Sequence, residues 1–446
     1  MKIIIVGVYA IGTHLAELLS RNNEEVVLID NNPDNLVRLD RDFDLLTICA
    51  EPTSIKALKD AGAEHADLLI AVTPQETVNI NICVLAKNLG TKRTVAKIDS
   101  LEYLNEGMDK FFKQVGVDSL IYPEMLAAKD IISGLKMSWV RQRWDIHNGA
   151  LVMLSIKLRE GCTILNQPLK SISEHKEPYH IVAIRRGDET IVPGGDDELK
   201  LYDLVYFMTT KNYIPYIRKV VGKEDYDDVK NVMIMGGGNT SVRVASTLPS
   251  YMSAKIIELD EARCEELNEL LDSDTMVING DGRDIDLLKE EGIRNTQAFV
   301  AVTPNVETNI LACLTAKRLG VRKTVALVDN IDYISMAESL DIGTIVNKKT
   351  IAASEIYQMM LDPNANNMRF IMTSNADIAE FKVQEGSKIT KKKVYELGLP
   401  TGLTLGGLVR NGEGMLISGG TQIEAGDIVM VFCHDLRITK IERYFN

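Results

Sequence analysis

Two stretches of the chain place glycines ahead of an acidic residue about twenty positions later, a spacing suited to nucleotide binding. In the second half, Gly236-Gly237-Gly238-Asn239-Thr240 follows an apolar run, and Glu258 follows Ile256-Ile257. A glycine turn lets backbone N–H groups approach a pyrophosphate at the positive end of a helix. A carboxylate that ends the next strand accepts the ribose hydroxyls. The sequence therefore predicts a nucleotide site in the second half.

The first half has a similar but altered loop. It reads Gly7-Val8-Tyr9-Ala10-Ile11-Gly12 and is followed by Asp30 after Leu28-Ile29. Tyr9 stands at the middle position, where a missing side chain normally lets the phosphate approach. Two interpretations stay open. Either the ring fills that space and weakens or shifts the ligand, or it points away and only the backbone faces the ligand.

Polar residues after later apolar runs extend both predicted sites. Asp281, within Asn279-Gly280-Asp281-Gly282, follows the third run of the second half, where a mobile backbone reaches the adenosine side. Thr73 and Thr303 end the fourth run of each half, at the edge where ligands of such folds bind. Alternatively these threonines are helix N-caps. Asn79 and Asn309 are interpreted as polar positions of the following helices and are left out of the predicted sites.

These features recur because the chain contains nearly the same amino-acid sequence twice, about 230 residues apart. Ala71-Val72-Thr73-Pro74 returns as Ala301-Val302-Thr303-Pro304, and Leu89-Gly90 returns as Leu319-Gly320. The period is longer than the roughly 20–50 residues of solenoid repeats. It therefore indicates a duplicated half-protein.

Each half predicts two kinds of domain. Apolar runs without alternation, separated by helical stretches such as Thr77–Leu89, indicate a parallel sheet covered on both faces. Short alternating strands and glycine turns follow, with Glu160-Gly161 returning as Glu385-Gly386. We predict an α/β protein with two Rossmann-like doubly wound parallel-sheet domains, each followed by a small α+β domain. The predicted boundaries are 1–140, 141–225, 229–362 and 363–446.

Composition excludes several other classes of protein. The net charge of −13 argues against binding to nucleic acid and to anionic membrane surfaces. No apolar run approaches the roughly 20 residues that span a bilayer, so we expect a cytoplasmic protein without membrane insertion. The six cysteines form no C-x-x-C pair, and we expect them to be buried small hydrophobes in a reducing compartment.

A search for catalytic groups finds little. None of the six histidines recurs in the repeat, and none has the spacing of a metal site: His14, His65, His147, His175, His180 and His434. We predict no catalytic residue and no metal site. Duplicated nucleotide loops without duplicated acid–base residues favour a sensor. The alternative is an NAD-dependent oxidoreductase. A third possibility, a sensor that binds a second messenger through the small α+β domains, is compatible with the nucleotide-sensor interpretation.

With these motifs, the chain resembles the TrkA family over essentially its whole length. That family comprises cytosolic regulatory subunits of Trk-type bacterial potassium uptake systems and is built from tandem RCK (regulator of potassium conductance) units. The matching text is Met1-Lys2-Ile3-Ile4-Ile5-Val6-Gly7, Asp67-Leu68-Leu69-Ile70-Ala71-Val72-Thr73, Lys255-Ile256-Ile257-Glu258, Asn279-Gly280-Asp281-Gly282 and Lys317-Arg318-Leu319-Gly320.

The resemblance implies a homo-oligomeric ring of RCK units, peripheral to the inner face of the membrane. Such a ring gates an integral-membrane potassium transporter in response to NAD(H) and to ATP or ADP. By position, the implied first site comprises Gly7 to Ile11, Asp30, Thr73 and Lys97. The implied second site comprises Gly236 to Thr240, Glu258, Asp281 and Thr303. Leu327 stands where the first half has Lys97, so the two sites need not prefer the same nucleotide.

Overall fold

The computed structural model describes residues 1–20, 24–43, 45–174, 177–187, 189–360, 370–373, 376–400, 402–433, 441 and 443–445. The chain divides into two compact units. The first comprises Met1–Ala127 and Lys348–Met360, and the second comprises Ala128–Asn347 and Leu361–Asn446. The predicted boundary between 362 and 363 lies outside the described residues, as do His175 and His434. The other domain boundaries stay predictions.

The first unit is built around a six-stranded parallel sheet with strand order β3-β2-β1-β4-β5-β6. The order reverses between β1 and β4, which is where open α/β sheets bind ligands. The elements are β1 (Lys2–Val6), α1 (Ala10–Ser20), β2 (Glu25–Asp30), α2 (Pro33–Asp42), β3 (Leu46–Cys49), α3 (Ile55–Asp60), β4 (Leu68–Ala71), α4 (Glu76–Leu89), β5 (Arg93–Lys97), α5 (Met108–Val115) and β6 (Ser119–Ile121). The next helix, α6 (Pro123–Leu135), begins in the first unit and ends in the second.

An antiparallel five-stranded sheet follows in the second unit, with order β10-β9-β11-β8-β7. We refer to it, with its helices, as the first C-lobe. Its elements are β7 (Gln142–Ile146), β8 (Leu151–Lys157), α7 (Leu169–Glu174), β9 (Tyr179–Arg186), β10 (Glu189–Ile191), β11 (Leu204–Thr209) and α8 (Ile214–Val220).

A second six-stranded parallel sheet repeats the first, with order β14-β13-β12-β15-β16-β17. We refer to the two parallel sheets, each with its helices, as the first and second Rossmann lobes, or simply the first and second lobes. Its elements are β12 (Asn231–Met235), α9 (Asn239–Thr247), β13 (Ser253–Glu258), α10 (Glu261–Leu270), β14 (Thr275–Asn279), α11 (Ile285–Glu290), β15 (Ala298–Ala301), α12 (Val306–Arg318), β16 (Lys323–Leu327), α13 (Ile334–Ser339), β17 (Thr344–Val346) and α14 (Lys348–Met360). The last helix, α14, belongs to the first unit and packs on α1.

The second C-lobe has strand order β18-β19-β22-β20-β21. Its strands are β18 (Phe370–Thr373), β19 (Ala376–Lys382), β20 (Leu403–Arg410), β21 (Glu413–Leu416) and β22 (Ile428–Cys433). The predicted fold class, two Rossmann-like domains each followed by a small α+β domain, is therefore confirmed.

Strand β8 of the first C-lobe is buried on both faces, which simple alternation did not predict. Six consecutive residues of β8 are buried. One face packs on helices of its own lobe through residues such as Leu154, and the other packs on the second C-lobe through Leu151 and Met153. A Cβ at Gly406 of β20 would lie 2.7 Å from Val182 Cγ1, so a glycine permits this close approach.

Within the second unit, one carboxylate joins the first C-lobe to the second Rossmann lobe. Asp341 forms ion pairs with Arg141 and Arg159 of the C-lobe, and with Lys317 of α12 at 3.0 Å. Burial opposes ionisation, but Arg141, Lys317 and Arg159 hold the pKa of Asp341 below its ordinary value. The three cations compensate the cost of burying this charge.

Five cysteines are buried as expected, but Cys49, at the end of edge strand β3, is exposed, so the expectation was wrong for it. In the part of the chain that the structure describes, no helix is both long and apolar enough to cross a membrane.

Each C-lobe contains the same arginine–aspartate pair, in which the aspartate is buried. Asp203 accepts hydrogen bonds from Arg186 Nε at 2.9 Å and Nη2 at 2.7 Å, and from the Lys200 N–H at 2.7 Å. Arg410 and Asp427 repeat the two-pronged contact at 2.8 Å for both donors. Bidentate charged pairs of this kind fix geometry as well as adding energy.

We expect Asp203→Ala to lower the melting temperature of the protein clearly, since it leaves a guanidinium and a backbone N–H without their buried acceptor, at about 1–3 kcal/mol. Asp196→Ala is the control in the same lobe, because its ion pair with Lys170 is solvent-exposed. Differential scanning calorimetry checks both variants. Equal shifts for the two would contradict a structural role for the Arg186–Asp203 pair.

Candidate nucleotide site at the carboxyl edge of the Rossmann sheets

The first glycine of each loop is required by a close contact with a threonine. Gly236 has φ +100°, and a Cβ there would lie 3.2 Å from Thr303 N. Gly7 has φ +98°, and a Cβ there would lie 2.8 Å from Thr73 N. In both lobes the glycine loop therefore rests directly on the end of the fourth strand, β4 or β15.

The middle position needs no glycine for its backbone. Gly238 has φ −70° and is the N-cap of α9, and a Cβ there would meet no atom within 4 Å. The open space beside it is available to a ligand. Tyr9 in the first lobe also avoids positive φ, and it is 43% exposed. The interpretation in which the tyrosine ring points away from the loop agrees with this exposure.

The third glycine position of the loop has a different residue in each Rossmann lobe, Gly12 in the first and Ser241 in the second. A Cβ at Gly12 would lie only 2.0 Å from Gly7 O, so a side chain would not fit there. In the second lobe, buried Ser241 donates its hydroxyl to Gly236 O. The helix starts beside the loop in both cases, because α1 begins at Ala10 and α9 at Asn239.

The two carboxylates that are predicted to bind the ribose, Glu258 and Asp30, differ in their accessibility. Glu258 is half-buried, and its Oε2 and Oε1 accept hydrogen bonds from Gly237 N at 2.5 Å and Asp260 N at 2.9 Å. Asp30 is only 1% exposed. Its carboxylate accepts from Val8 N at 2.6 Å, Asn32 N at 2.8 Å and Asn35 Nδ2 at 3.2 Å. The second carboxylate is thus the more accessible to ribose hydroxyls.

The threonines are held by buried asparagines, which the sequence interpretation missed. Asn79 accepts from Thr73 N at 2.8 Å and Thr73 Oγ1 at 2.7 Å, and it donates to Thr73 O and Lys97 O at 3.0 Å each. Asn309 repeats all four bonds with Thr303 and Leu327. The helix N-caps are other residues, so the N-cap interpretation of the threonines was wrong.

A sequence signal for these asparagines existed. Asn79 belongs to the same buried helical stripe as Ile82, Cys83 and Ala86. A polar residue on a buried stripe, recurring at the repeat distance, indicates a satisfied hydrogen-bonding role.

Asp281 lies in a turn beside β13, the strand that ends with Glu258. Its side chain is bound by Arg283 of the same turn. Gly280 N donates to Glu258 O at 2.8 Å, which places the turn against the end of β13. The Asp281 carboxylate accepts from Arg283 Nη2 at 2.7 Å and Arg283 Nε at 2.9 Å. These hydrogen bonds lower the pKa of Asp281.

Lys97 gives the first lobe a cation at the end of β5. Its Nζ lies 2.6 Å from Asp99 Oδ1, and the side chain is largely buried. Leu327 occupies the position in the second lobe and is buried in the apolar core. The remaining predicted residues, Val8, Ala10, Ile11, Asn239 and Thr240, lie in the loops or first helical turns, where backbone N–H groups favour anions.

Comparison with known proteins agrees with this architecture. The TrkA-N domain model matches residues 3–123 and 232–348, and the TrkA-C domain model matches residues 153–222 and 378–446. A Trk system potassium uptake protein TrkA from Haemophilus influenzae is 31% identical, with 100% of this chain and 98% of the relative covered. This chain belongs to the TrkA family.

Solved structures show the same fold at lower identity. The RCK domain of GsuK superimposes on this TrkA-family chain with TM-score 0.60 and 15% identity, covering 99% of this chain and 94% of that one. A GsuK channel described as bound to NAD gives TM-score 0.59 and 14% identity, covering 99% and 78%. At these identities the likeness concerns the fold alone.

We predict that Glu258→Ala and Gly238→Trp each weaken adenine nucleotide binding. The first removes hydrogen bonds to a charged group, worth about 1.5–3 kcal/mol or roughly 10- to 150-fold in affinity, and the second fills the open space beside the loop. Isothermal titration calorimetry with ATP and NADH measures both. Glu269→Ala, an exposed carboxylate on α10, is the control and should bind as wild type. Unchanged affinity in both test variants would contradict the assignment.

We also predict that the first lobe binds nucleotide more weakly than the second, because Asp30 is enclosed whereas Glu258 is only half-buried. If the wild-type protein shows two binding events, Glu258→Ala should remove the tighter one. Calorimetry on the full-length chain resolves them. Loss of the weaker event instead would reverse the order of the two sites.

Proposed function

We propose that this TrkA-family protein is a nucleotide-sensing regulatory subunit that controls an integral-membrane, Trk-type potassium transporter. The observation that carries the proposal is the second glycine loop, where open space beside Gly238 adjoins an accessible carboxylate, Glu258. Relatives named Trk system potassium uptake protein TrkA support the transporter as partner.

The proposed ligands are NAD(H) and ATP or ADP. All share an adenosine ribose for Glu258 and phosphates for the N–H groups of the loop and the first turn of α9. The related fold of a GsuK channel bound to NAD, and of another bound to ADP, supports these classes. Asp30, Thr73 and Lys97 would hold the ligand of the first lobe, and Thr303 and Asp281 would border that of the second.

Regulation in this proposal is a shift between populations of lobe arrangements. A nucleotide that fits one arrangement better moves the equilibrium by its differential affinity and by no more. The chain would work as a homo-oligomeric ring on the cytoplasmic face of the membrane, without inserting into it. It would bind no nucleic acid and turn over no nicotinamide substrate.

The test is reconstitution of the full-length protein with its transporter in vesicles, followed by potassium flux measurements. We expect the flux to change when the protein is added and to change again with NADH or ATP. Glu258→Ala protein should respond to nucleotide less. The oxidoreductase alternative predicts flux that ignores protein and nucleotide, together with NADH oxidation by purified protein and a small substrate.

A further inference from the structure

An arginine missing from the sequence interpretation lies against the second glycine loop. Arg263 Nε donates to Gly237 O at 2.9 Å, and Arg263 Nη1 donates to Glu266 at 2.6 Å. Its backbone N–H donates to the N-cap side chain of Asp260 at 2.8 Å, which fixes the first turn of α10. Two hydrogen bonds, from Nε and from Nη1, therefore hold the guanidinium group in place.

The guanidinium and the ribose carboxylate meet at one residue. Gly237 donates its N–H to Glu258 and accepts from Arg263 through its carbonyl. In Rossmann folds the acidic residue at this strand end marks the adenosine side of the ligand. Arg263 is therefore at the adenosine side of the proposed site, and its side chain is 27% exposed.

One donor group of Arg263 is unused. Nη2 makes no hydrogen bond within the described part of the chain, while Nε and Nη1 each have a partner. Both hydrogen-bond partners, Gly237 O and Glu266, lie at the edge of the guanidinium, and the Arg263 side chain remains partly exposed. A planar cation of this kind can stack on an aromatic base.

The first lobe has a different residue at the same position. Five residues after Asp30 stands Asn35, which donates to the Asp30 carboxylate at 3.2 Å. It contributes no charge and no extended planar group. The first lobe instead has its added cation, Lys97, at the end of β5. The distinguishing cation of the first lobe thus lies at the end of β5, whereas that of the second lobe lies in the first turn of α10.

We propose that Arg263 is a specificity-determining residue of the second site, where its guanidinium stacks on the adenine base of a nucleotide held by Glu258. The inference rests on the proposed function, because it assumes that the second edge binds nucleotide. It assigns the site to purine nucleotides over pyrimidine nucleotides, since the larger purine ring offers the larger stacking surface. It also explains why the second lobe would bind adenine nucleotides more tightly than the first.

The test uses the full-length protein titrated with ATP and with UTP by calorimetry. Arg263→Ala should weaken ATP by roughly 2- to 30-fold, the range of cation–π contacts, and UTP by a smaller factor. Arg263→Lys keeps the charge but loses the plane, so it should behave like Arg263→Ala. Circular dichroism confirms that the variants fold, and both retain the backbone N–H that Asp260 caps.

Two results would overturn the inference. Either Arg263→Lys binds ATP as wild type, or Arg263→Ala weakens ATP and UTP by the same factor, since each indicates a role through charge alone. Glu258→Ala separates this failure from failure of the proposed function. If Glu258→Ala weakens both nucleotides while the Arg263 variants bind normally, only the stacking role is wrong. If Glu258→Ala changes neither, the site itself is wrong, and the inference falls with it.

Discussion

The geometry of both nucleotide edges depends on one buried amide side chain in each Rossmann lobe. Asn79 and Asn309 use both lone pairs of the amide oxygen and both N–H donors, so their hydrogen-bonding capacity is filled. Each amide joins the end of the fourth strand to the end of the fifth. It thereby fixes the threonine on which the glycine loop rests. An apolar residue of similar size would leave several buried partners unsatisfied.

On this common frame, the two edges differ in the groups that would meet a ligand. The first has an enclosed carboxylate, Asp30, an exposed tyrosine and a lysine on β5. The second has an accessible carboxylate, Glu258, open space at Gly238 and an arginine against the loop. Duplication preserved the hydrogen bonds that build the edge, while the ligand-facing groups diverged. This pattern is consistent with two sites of unequal affinity in one chain.

Much of the fold could be predicted from the sequence, because parallel strands buried on both faces leave unbroken apolar runs. The repeated glycine loops and the carboxylates at strand ends marked the ligand-binding edge of each parallel sheet, because folds of this type place both groups there. The buried asparagines were missed because a single polar residue on a helix is usually solvent-facing. Arg263 was missed because its contact with the glycine loop goes to a backbone carbonyl, which no side-chain pattern reveals. The two-faced burial of β8 depends on the second C-lobe, more than 200 residues away along the chain.

Hydrogen–deuterium exchange on the full-length protein, with and without ATP or NADH, tests most directly whether the second edge is the nucleotide sensor. The account predicts slower exchange at residues 236–241 and 258–264 when nucleotide is added, because ligand contacts protect the loop and the first turn of α10. The corresponding segments of the first lobe, residues 7–12 and 30–36, should be protected only at higher nucleotide concentration. Protection confined to the first lobe, or to the C-lobes alone, would contradict it.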